Sequence, residues 1–238
     1  MKRLGVLMMV ILGAMLGFWS YLSMPKPAQE KPQEYPPKVI KLPKPRTQGT
    51  VSLEESLARR RSIREYTEQP LSIEQLSQLL WAAQGITLPT WGFRTAPSAG
   101  ATYPLELYVV VGKECVNGLE EGVYRYDPKS ETLTFIADGD RRRDLSIAAL
   151  GQEWVAGARV DIVITALYER TTRRYGERGV RYVHMEAGHV SENIYLQAAA
   201  MGLATVTIGA FYDEQVKKVL ELPKELEPLY IHPVGYPR

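Results

Sequence analysis

An uncharged stretch at the start of the chain limits how much of the sequence can join one globular fold. Lys2 and Arg3 precede residues 4–24, which contain no charged side chain. A helix needs about 20 apolar residues to cross the hydrocarbon core of a bilayer, and this stretch just meets that length. A basic start followed by an apolar run is also typical of a secretory signal peptide. Because bulky residues occupy the end of the stretch, we expect residues 1–24 to be an uncleaved anchor, with a cleaved signal peptide as the alternative.

The next segment, residues 25–50, is rich in proline. Its prolines are interleaved with lysines and other polar residues, at positions 25, 27, 32, 36, 37, 43 and 45. Proline at this density disfavours helix and sheet and favours extended polyproline II, so we predict a semi-rigid linker. The basic start favours a domain outside the cytoplasm, whereas the linker lysines favour the opposite orientation. We expect an extracytoplasmic domain; a secreted or a cytoplasm-facing domain is the alternative.

Composition excludes some classes of function for this chain. The formal net charge of the chain is +2, which gives no reason to expect a nucleic-acid partner. A single cysteine, Cys115, cannot form an internal disulfide or a multi-cysteine metal site. His184 and His189 are five residues apart and do not share one face of a helix, so we expect no metal site.

Helix and strand patterns mix irregularly along residues 51–238. Ser52 with Glu55 and Ser72 with Gln75 are capping-box patterns, each followed by an apolar stripe. We predict helices near 53–61, 72–84, 144–150, 182–201 and 213–220, and strands near 105–112, 122–126, 132–137, 160–168, 204–208 and 228–235. Residues 86–104 and 169–181 are predicted loops. The absence of a regular βαβ repeat and of a G-x-G-x-x-G motif after a strand predicts an α+β fold with a mixed central sheet flanked by helices.

A cluster of arginines follows the first predicted helix. Arg60, Arg61, Ser62 and Arg64 place several donors within five residues. Guanidinium groups make charge-assisted, often bidentate hydrogen bonds to phosphate, and a serine hydroxyl adds another donor. The cluster is therefore a candidate anion site. The alternative is a solvated basic helix end, which the helix dipole also favours.

Two segments of small residues are candidates for contact with a planar ligand. The first, Pro97–Pro104, precedes a predicted strand, and the second, Thr205–Phe211, is a strand that runs into a turn of small residues. Small side chains such as Ser98, Gly209 and Ala210 allow main-chain N–H groups to approach a ligand closely. An ordinary loop and an ordinary strand-to-helix turn are the alternatives.

These three segments, in this order, resemble the FMN-dependent nitroreductase family. The patterns are R-R-S-x-R, P-S-x-G-x-x-x-P and G-L-x-x-x-x-I-G-x-F, the last running from Gly202 to Phe211. Residues 181–193 are similar to the SagB-type branch, whose members dehydrogenate thiazolines and oxazolines in peptides. The resemblance covers residues 51–238. It implies a three-layer α+β domain, an FMN cofactor and an intertwined homodimer with FMN at the interface.

The resemblance also implies roles for individual residues. Arg60, Ser62 and Arg64, with Arg61 in the same segment, match the contacts to the FMN phosphate and ribityl chain. Pro97, Ser98 and Ala101 match a loop that reaches FMN from the partner subunit, where many members carry asparagine in place of Ala101. Ile208, Gly209 and Ala210 match the turn facing the flavin ring, where a main-chain N–H meets N5. Arg238 matches a C-terminal basic residue at the phosphate.

The dehydrogenase branch uses a Lys-Tyr pair near the flavin, and Arg181-Tyr182 is the nearest match. Arginine stays protonated and is a poor general base, so Tyr182 is the candidate proton donor. A tyrosine that only packs at a helix start is the alternative. The arginine-rich residues 170–181 are either a solvated surface or a site that captures an anionic partner, such as NAD(P)H or a carboxylated substrate.

We therefore expect an FMN-dependent oxidoreductase that moves hydride in a ping-pong reaction from NAD(P)H, or from a small-molecule substrate that it dehydrogenates, to an acceptor. Two alternatives remain. One is a flavin-binding electron-relay module without catalysis, and the other is a membrane-tethered scaffold with a degenerate site.

Overall fold

The computed structural model describes residues 38–238. The predicted anchor, residues 1–24, and the first half of the predicted linker lie outside the described residues. Among the described residues, no helix is both long enough and apolar enough to cross a membrane.

Strands and helices alternate irregularly along the described chain, as expected. The strands are β1 (Val39–Lys41), β2 (Ile86–Leu88), β3 (Phe93–Arg94), β4 (Leu105–Val111), β5 (Gly122–Asp127), β6 (Thr132–Asp138), β7 (Val160–Ala166), β8 (Ala204–Thr205) and β9 (Glu227–Gly235). The α-helices are α1 (Leu53–Arg59), α2 (Ile73–Gln84), α3 (Arg142–Ala148), α4 (Glu153–Gly157), α5 (Glu169–Tyr175), α6 (Arg178–Ala200) and α7 (Asp213–Leu220). Ser52 and Ser72 cap α1 and α2 as predicted, and Ser72 forms the full capping box with Gln75.

Seven strands form one sheet in the order β1-β6-β5-β4-β7-β9-β8, and all neighbouring strands are antiparallel. This corrects the predicted mixed sheet. Within residues 38–238, parallel pairing is confined to isolated bridges, Ser62 with Thr205 and Leu71 with Val116. Apolar periodicity shows which residues are buried in a strand but carries no information about strand direction, so the sequence could not distinguish the two sheets.

Helices cover both faces of the sheet and make three layers. Strand β7 lies at its centre, paired with β4 and β9, and all seven of its residues are buried. Its residues alternate between two cores. Val160, Ile162 and Ile164 pack in the core that includes α2 and α6, while Val163 packs in the core that includes α3, α4 and α7.

The globular domain begins earlier than residue 51, the boundary predicted from the sequence. Strand β1 pairs residues 39–41 with residues 132–134, at the edge of the sheet. Leu42 is only 3% exposed, and the hydroxyl of Ser77 donates to the carbonyl oxygen of Pro43 at 2.6 Å. Edge strands tolerate flanking prolines because one side of the strand needs no ladder hydrogen bonds. The second half of the predicted linker is therefore packed on the domain.

Two predicted loops contain regular structure. Residues 86–104 include the β2–β3 hairpin and a short 3-10 turn, Ala99–Ala101. Residues 169–181 are helix α5 and the start of α6. Arginine and glutamate favour helix, but an exposed helix shows no apolar stripe, so the pattern resembled a loop.

Candidate functional site

Segments from the two ends of the domain meet beside the C-terminal half of α6. The main-chain N–H of Ile63 donates to the carbonyl oxygen of Thr205 at 3.0 Å, and that of Arg238 donates to Glu65 at 3.2 Å. Residues 60–64, the strand after α6 and the C-terminus therefore lie together. These are the segments that the family resemblance assigns to the FMN phosphate.

Tyr195 on α6 fixes the spacing between two of these segments. Its hydroxyl oxygen accepts the main-chain N–H of Thr207 at 2.8 Å and lies 2.9 Å from the hydroxyl oxygen of Ser62. Its ring also lies 5.1 Å from the guanidinium carbon of Arg60. The sequence did not identify Tyr195, because a tyrosine on a long amphipathic helix carries no signal of its own.

Arg60 and Arg64 have no acidic partner among the described residues, whose ion pairs involve other arginines and lysines. The guanidinium carbon of Arg64 lies 5.5 Å from the centre of the Trp154 ring, and the buried indole N–H of Trp154 has no acceptor in the described part of the chain. Arg61 differs, because its guanidinium group donates to the carbonyl oxygens of Ala58 and Arg60. Arg60 and Arg64 are thus available to bind an anion, while Arg61 secures the end of α1.

The predicted ring-facing turn begins where the buried strand residues end. Ile208 is buried and exchanges main-chain hydrogen bonds with Ile231 at 2.9 Å. Gly209 and Ala210 are exposed, and within residues 38–238 neither of their N–H groups donates a hydrogen bond. The side chain of Gln152 donates to the carbonyl oxygen of Ala210 at 3.0 Å and holds the turn in place. Two main-chain donors are therefore presented side by side.

The Pro97–Pro104 loop has an unusual backbone. Gly100, Ala101 and Tyr103 all have left-handed φ angles, of 61°, 54° and 45°. Non-glycine residues rarely adopt this region, and asparagine tolerates it better than alanine does. The hydroxyl of Ser98 accepts the N–H of Tyr103 at 2.9 Å and stabilises the bend. Strain of this kind often marks a site where a loop must hold one particular shape.

Contacts tie this loop to α5 and to the N-terminal half of α6. The hydroxyls of Thr102 and Thr171 are 2.7 Å apart, and Arg174 donates to the carbonyl oxygen of Gly100 at 3.1 Å. Tyr182 belongs to the same neighbourhood, since its ring packs edge-on against Tyr175 at 5.2 Å. Ser98, Ala101 and Tyr182 therefore form a second group in this chain.

The two groups lie at different positions along α6. Tyr182 and Tyr195 are 13 residues apart on the helix. At 1.5 Å per residue, this separates them by roughly 20 Å. One chain thus brings Arg60, Ser62 and Arg64 together with the Gly209 turn, and it places the Ser98 loop with Tyr182 elsewhere.

Two buried titratable side chains lie near these groups. Burial raises the pKa of Glu186 to about 7, although Ser98 and Arg94 oppose the shift. Burial lowers the pKa of His232 to about 3; its ring lies behind the turn, with Nε2 3.4 Å from the Thr207 hydroxyl. Among residues 38–238, no group of three or more histidine, cysteine, aspartate or glutamate side chains is arranged to hold a metal ion.

Residues 57–236 match the Nitroreductase family. A protein of Methanocaldococcus jannaschii, named as a candidate nitroreductase, is 51% identical over 185 residues, which are 78% of this chain and 91% of that protein. The crystal structure of a candidate nitroreductase from Ralstonia eutropha superposes with a TM-score of 0.74 at 34% identity, covering 84% of this chain and 90% of the other.

More distant relatives have informative names. The microcin B17-processing protein McbC of Escherichia coli is 28% identical over 69% of this chain and 62% of its own length. The FMN reductase [NAD(P)H] of Bacillus subtilis is 27% identical over 76% of this chain and 64% of its own length. The chain spans less than two thirds of each of these two proteins.

Proposed function

The chain belongs to the nitroreductase family and is an FMN-dependent oxidoreductase, and on this premise we propose that it transfers hydride in two half-reactions. A donor, either NAD(P)H or a small molecule that is dehydrogenated, binds first and leaves oxidised; an acceptor then takes its place. FMN supplies the hydride-accepting and hydride-donating chemistry, while the protein supplies binding, orientation and electrostatics.

The phosphate of FMN is assigned to the arginine cluster. Arg60 and Arg64 carry positive charge with no acid partner in residues 38–238, and the chain terminus brings Arg238 to the same segment. Guanidinium groups suit the planar, bidentate recognition of phosphate oxygens, and Ser62 adds a hydroxyl. A guanidinium group without a carboxylate partner gains a charge-assisted contact when an anion binds, so phosphate binding stabilises the segment. This pair of arginines without acid partners is the observation that carries the proposal.

The flavin ring is assigned to the turn after Ile208. The main-chain N–H groups of Gly209 and Ala210, which have no acceptor in the described part of the chain, are suited to hydrogen bonds with a ring nitrogen or carbonyl. Gly209 leaves the approach open because it has no side chain. A donor held at this position favours negative charge on the ring, which is the usual way that a protein tunes a flavin.

A homodimer completes the site in this proposal. The Ser98 loop and Tyr182 lie roughly 20 Å along α6 from the Tyr195 neighbourhood, so a second copy is the means of bringing them to the same cofactor. Exposed apolar side chains support an interface, since Met185 on α6 is 52% exposed, and Leu53 and Leu57 on α1 are 60% and 52% exposed. Apolar patches of this kind are typical of protein interfaces.

Tyr182 is proposed to deliver a proton to the substrate. It is half-buried, and its ring packs edge-on against Tyr175 and lies 5.9 Å from the guanidinium carbon of Arg178. Arg181 precedes it on α6, and a guanidinium group only donates, so Arg181 is not the base. The predicted anchor at residues 1–24 would place this chemistry at a membrane, which fractionation of the full-length protein tests directly.

The test of the cofactor assignment is substitution of the arginine pair. We expect Arg60→Ala and Arg64→Ala to bind FMN at least tenfold more weakly, because each removes a charge-assisted phosphate contact. Arg143→Ala, which removes an exposed arginine on α3, is the matched control and retains wild-type FMN content. Full FMN occupancy in the double variant Arg60→Ala/Arg64→Ala would refute the assignment.

The test of the shared site is complementation between inactive variants. Arg64→Ala and Tyr182→Phe remove residues that the dimer contributes to one site from different chains. In an equimolar mixture that exchanges subunits, half of the dimers are mixed and each has one intact site, so about a quarter of wild-type activity returns. If each site used residues of one chain only, both sites of a mixed dimer would stay defective and no activity would return.

A further inference from the structure

A cavity opens beside the β2–β3 hairpin, away from the arginine cluster at residues 60–64. Its volume is about 590 Å³, within the range of small-molecule sites. The end of α2, the hairpin, the Pro97–Pro104 loop and strands β4 and β5 form its walls. The lining includes Gln84, Trp91, Arg94, Tyr103, Arg125 and Arg170.

Two hydrogen-bond donors in this wall lack acceptors among the described residues. Arg94 donates through Nη1 to the side-chain oxygen of Gln84 at 2.6 Å. An arginine only donates, so this bond fixes the orientation of the Gln84 amide. Gln84 is 1% exposed, yet its Nε2 has no acceptor, and neither does the buried Nε of Arg94. Leaving such donors unsatisfied is unfavourable, so the wall suits a ligand with acceptor atoms.

The charges around the cavity also favour an anion. Four cationic side chains line it: Arg94, Arg125, Lys129 and Arg170. Two carboxylates oppose them, Glu106 and Asp127, so the lining carries a net charge of +2 (four minus two). Glu106 is shared, because it pairs with Arg170 and lies 3.8 Å from Arg125. Behind the wall, Glu186 faces Arg94, but its raised pKa of about 7 leaves it only partly charged at neutral pH.

Aromatic side chains surround the charged part of the wall. Trp91 is 71% exposed at the mouth, with its ring 6.3 Å from that of Phe93. Inside, the ring of Tyr103 lies 4.6 Å from the guanidinium carbon of Arg94. An exposed indole gains by stacking on a flat, apolar ligand surface. The cavity thus combines an anion-binding end with faces for a planar ring.

We propose that this cavity binds a planar aromatic carboxylate, with the carboxylate at Gln84 and Arg94 and the ring towards Trp91. The idea rests on the proposed oxidoreductase function, because Ala101 and Thr102 of the strained loop line the same cavity, and the proposed dimer brings this loop to the flavin site of the partner subunit. It names the substrate class: a small aromatic acid held by its carboxylate.

Binding of 4-nitrobenzoate to the protein incubated with excess FMN, measured by isothermal titration calorimetry, tests the proposal. The neutral isostere 4-nitrobenzamide has the same ring and should bind at least tenfold more weakly. Gln84→Glu keeps an acceptor for Arg94 but replaces the free donor with a negative charge, so 4-nitrobenzoate should bind at least tenfold more weakly to it. Gln69→Glu adds the same charge on an exposed loop and should leave binding unchanged.

A second variant protects the test against misfolding of the first. Arg125→Gln removes a side chain that is 46% exposed and should weaken 4-nitrobenzoate binding several-fold, with a smaller salt dependence. Equal affinity of wild type and Gln84→Glu, or no saturable binding to wild type, would overturn the proposal. FMN content and NAD(P)H oxidation are measured on the same samples. If FMN content and NAD(P)H oxidation are both absent while 4-nitrobenzoate still binds, the proposed function alone is refuted. If FMN content and NAD(P)H oxidation are normal but 4-nitrobenzoate does not bind, this inference alone is refuted.

Discussion

Replacing Tyr195 with phenylalanine tests how the proposed FMN site is held together. The change removes one oxygen atom and keeps the ring beside Arg60. That oxygen accepts the N–H of Thr207 at 2.8 Å and lies 2.9 Å from the hydroxyl oxygen of Ser62. Tyr195 is 8% exposed, so water cannot readily replace the lost acceptor.

The expected cost follows from the group left unpaired. A buried N–H without an acceptor costs about 1–3 kcal/mol, while the exposed Ser62 hydroxyl can turn to water at little cost. For a domain of about 200 residues, 1 kcal/mol shifts Tm by roughly 2–4 °C, so the middle of that range lowers Tm by about 4–8 °C. Because the phosphate segment and the ring-facing turn are no longer joined through Tyr195, FMN should bind about tenfold more weakly, or ~1.4 kcal/mol.

Thermal unfolding of the apoprotein and fluorescence titration with FMN measure the two effects separately. Tyr124→Phe is the matched control, since its buried hydroxyl donates to the carbonyl oxygen of Glu120 at 2.8 Å in another part of the sheet. It should lower Tm but leave FMN affinity at the wild-type value. If Tyr195→Phe also leaves FMN affinity unchanged, Tyr195 only packs and does not position the cofactor site.

Three further predictions concern the turn and the buried titratable groups. Gly209→Ala should fold normally, because the added carbon would lie 3.4 Å from the Tyr230 ring, which is an ordinary van der Waals contact. FMN titration should nevertheless show weaker binding, because the methyl group enters the proposed ring site. Burial lowers the pKa of His232 to about 3, so its contribution to the free energy of unfolding is present above pH 6.5 and is lost as pH falls. At pH 5 this loss is about 2 kcal/mol. Denaturation of His232→Gln should not show this pH-dependent loss of stability. Burial raises the pKa of Asp161 well above its usual value, so its contribution to the free energy of unfolding is lost as pH rises above about 4. Urea denaturation at pH 5 and pH 8 tests this, because the free energy of unfolding of Asp161→Asn should decrease less between the two pH values than that of the wild type.

Much of the fold was predictable because local signals and burial agree. The serine caps at Ser52 and Ser72 mark two helix starts, and the apolar run at residues 160–166 is the central strand. Strand direction was not predictable, since it depends on how long connections cross the domain. Helix α5 was missed because its charged residues face solvent and leave no periodic apolar pattern.

The candidate site also contains residues that the sequence predicted and residues that only the structure reveals. Short motifs predicted the Arg60–Arg64 segment and the Gly209 turn as parts of the site, since cationic and small residues are what a phosphate and a flat ring require. Tyr195 and Gln84 carry no such signal, because a hydroxyl or an amide acquires a role only from the neighbours that folding brings to it. Gln84 becomes informative only when Arg94 fixes its orientation and leaves its buried nitrogen without an acceptor among the described residues.

The central claim is that Arg60 and Arg64 hold the phosphate of one FMN per chain. Equilibrium dialysis of the folded apoprotein against FMN and, in parallel, riboflavin tests it most directly, because the two ligands differ only in the phosphate. We predict saturation at one FMN per chain, much weaker riboflavin binding, and loss of this preference in Arg60→Ala/Arg64→Ala. Equal affinity of the wild-type protein for FMN and riboflavin would contradict the claim.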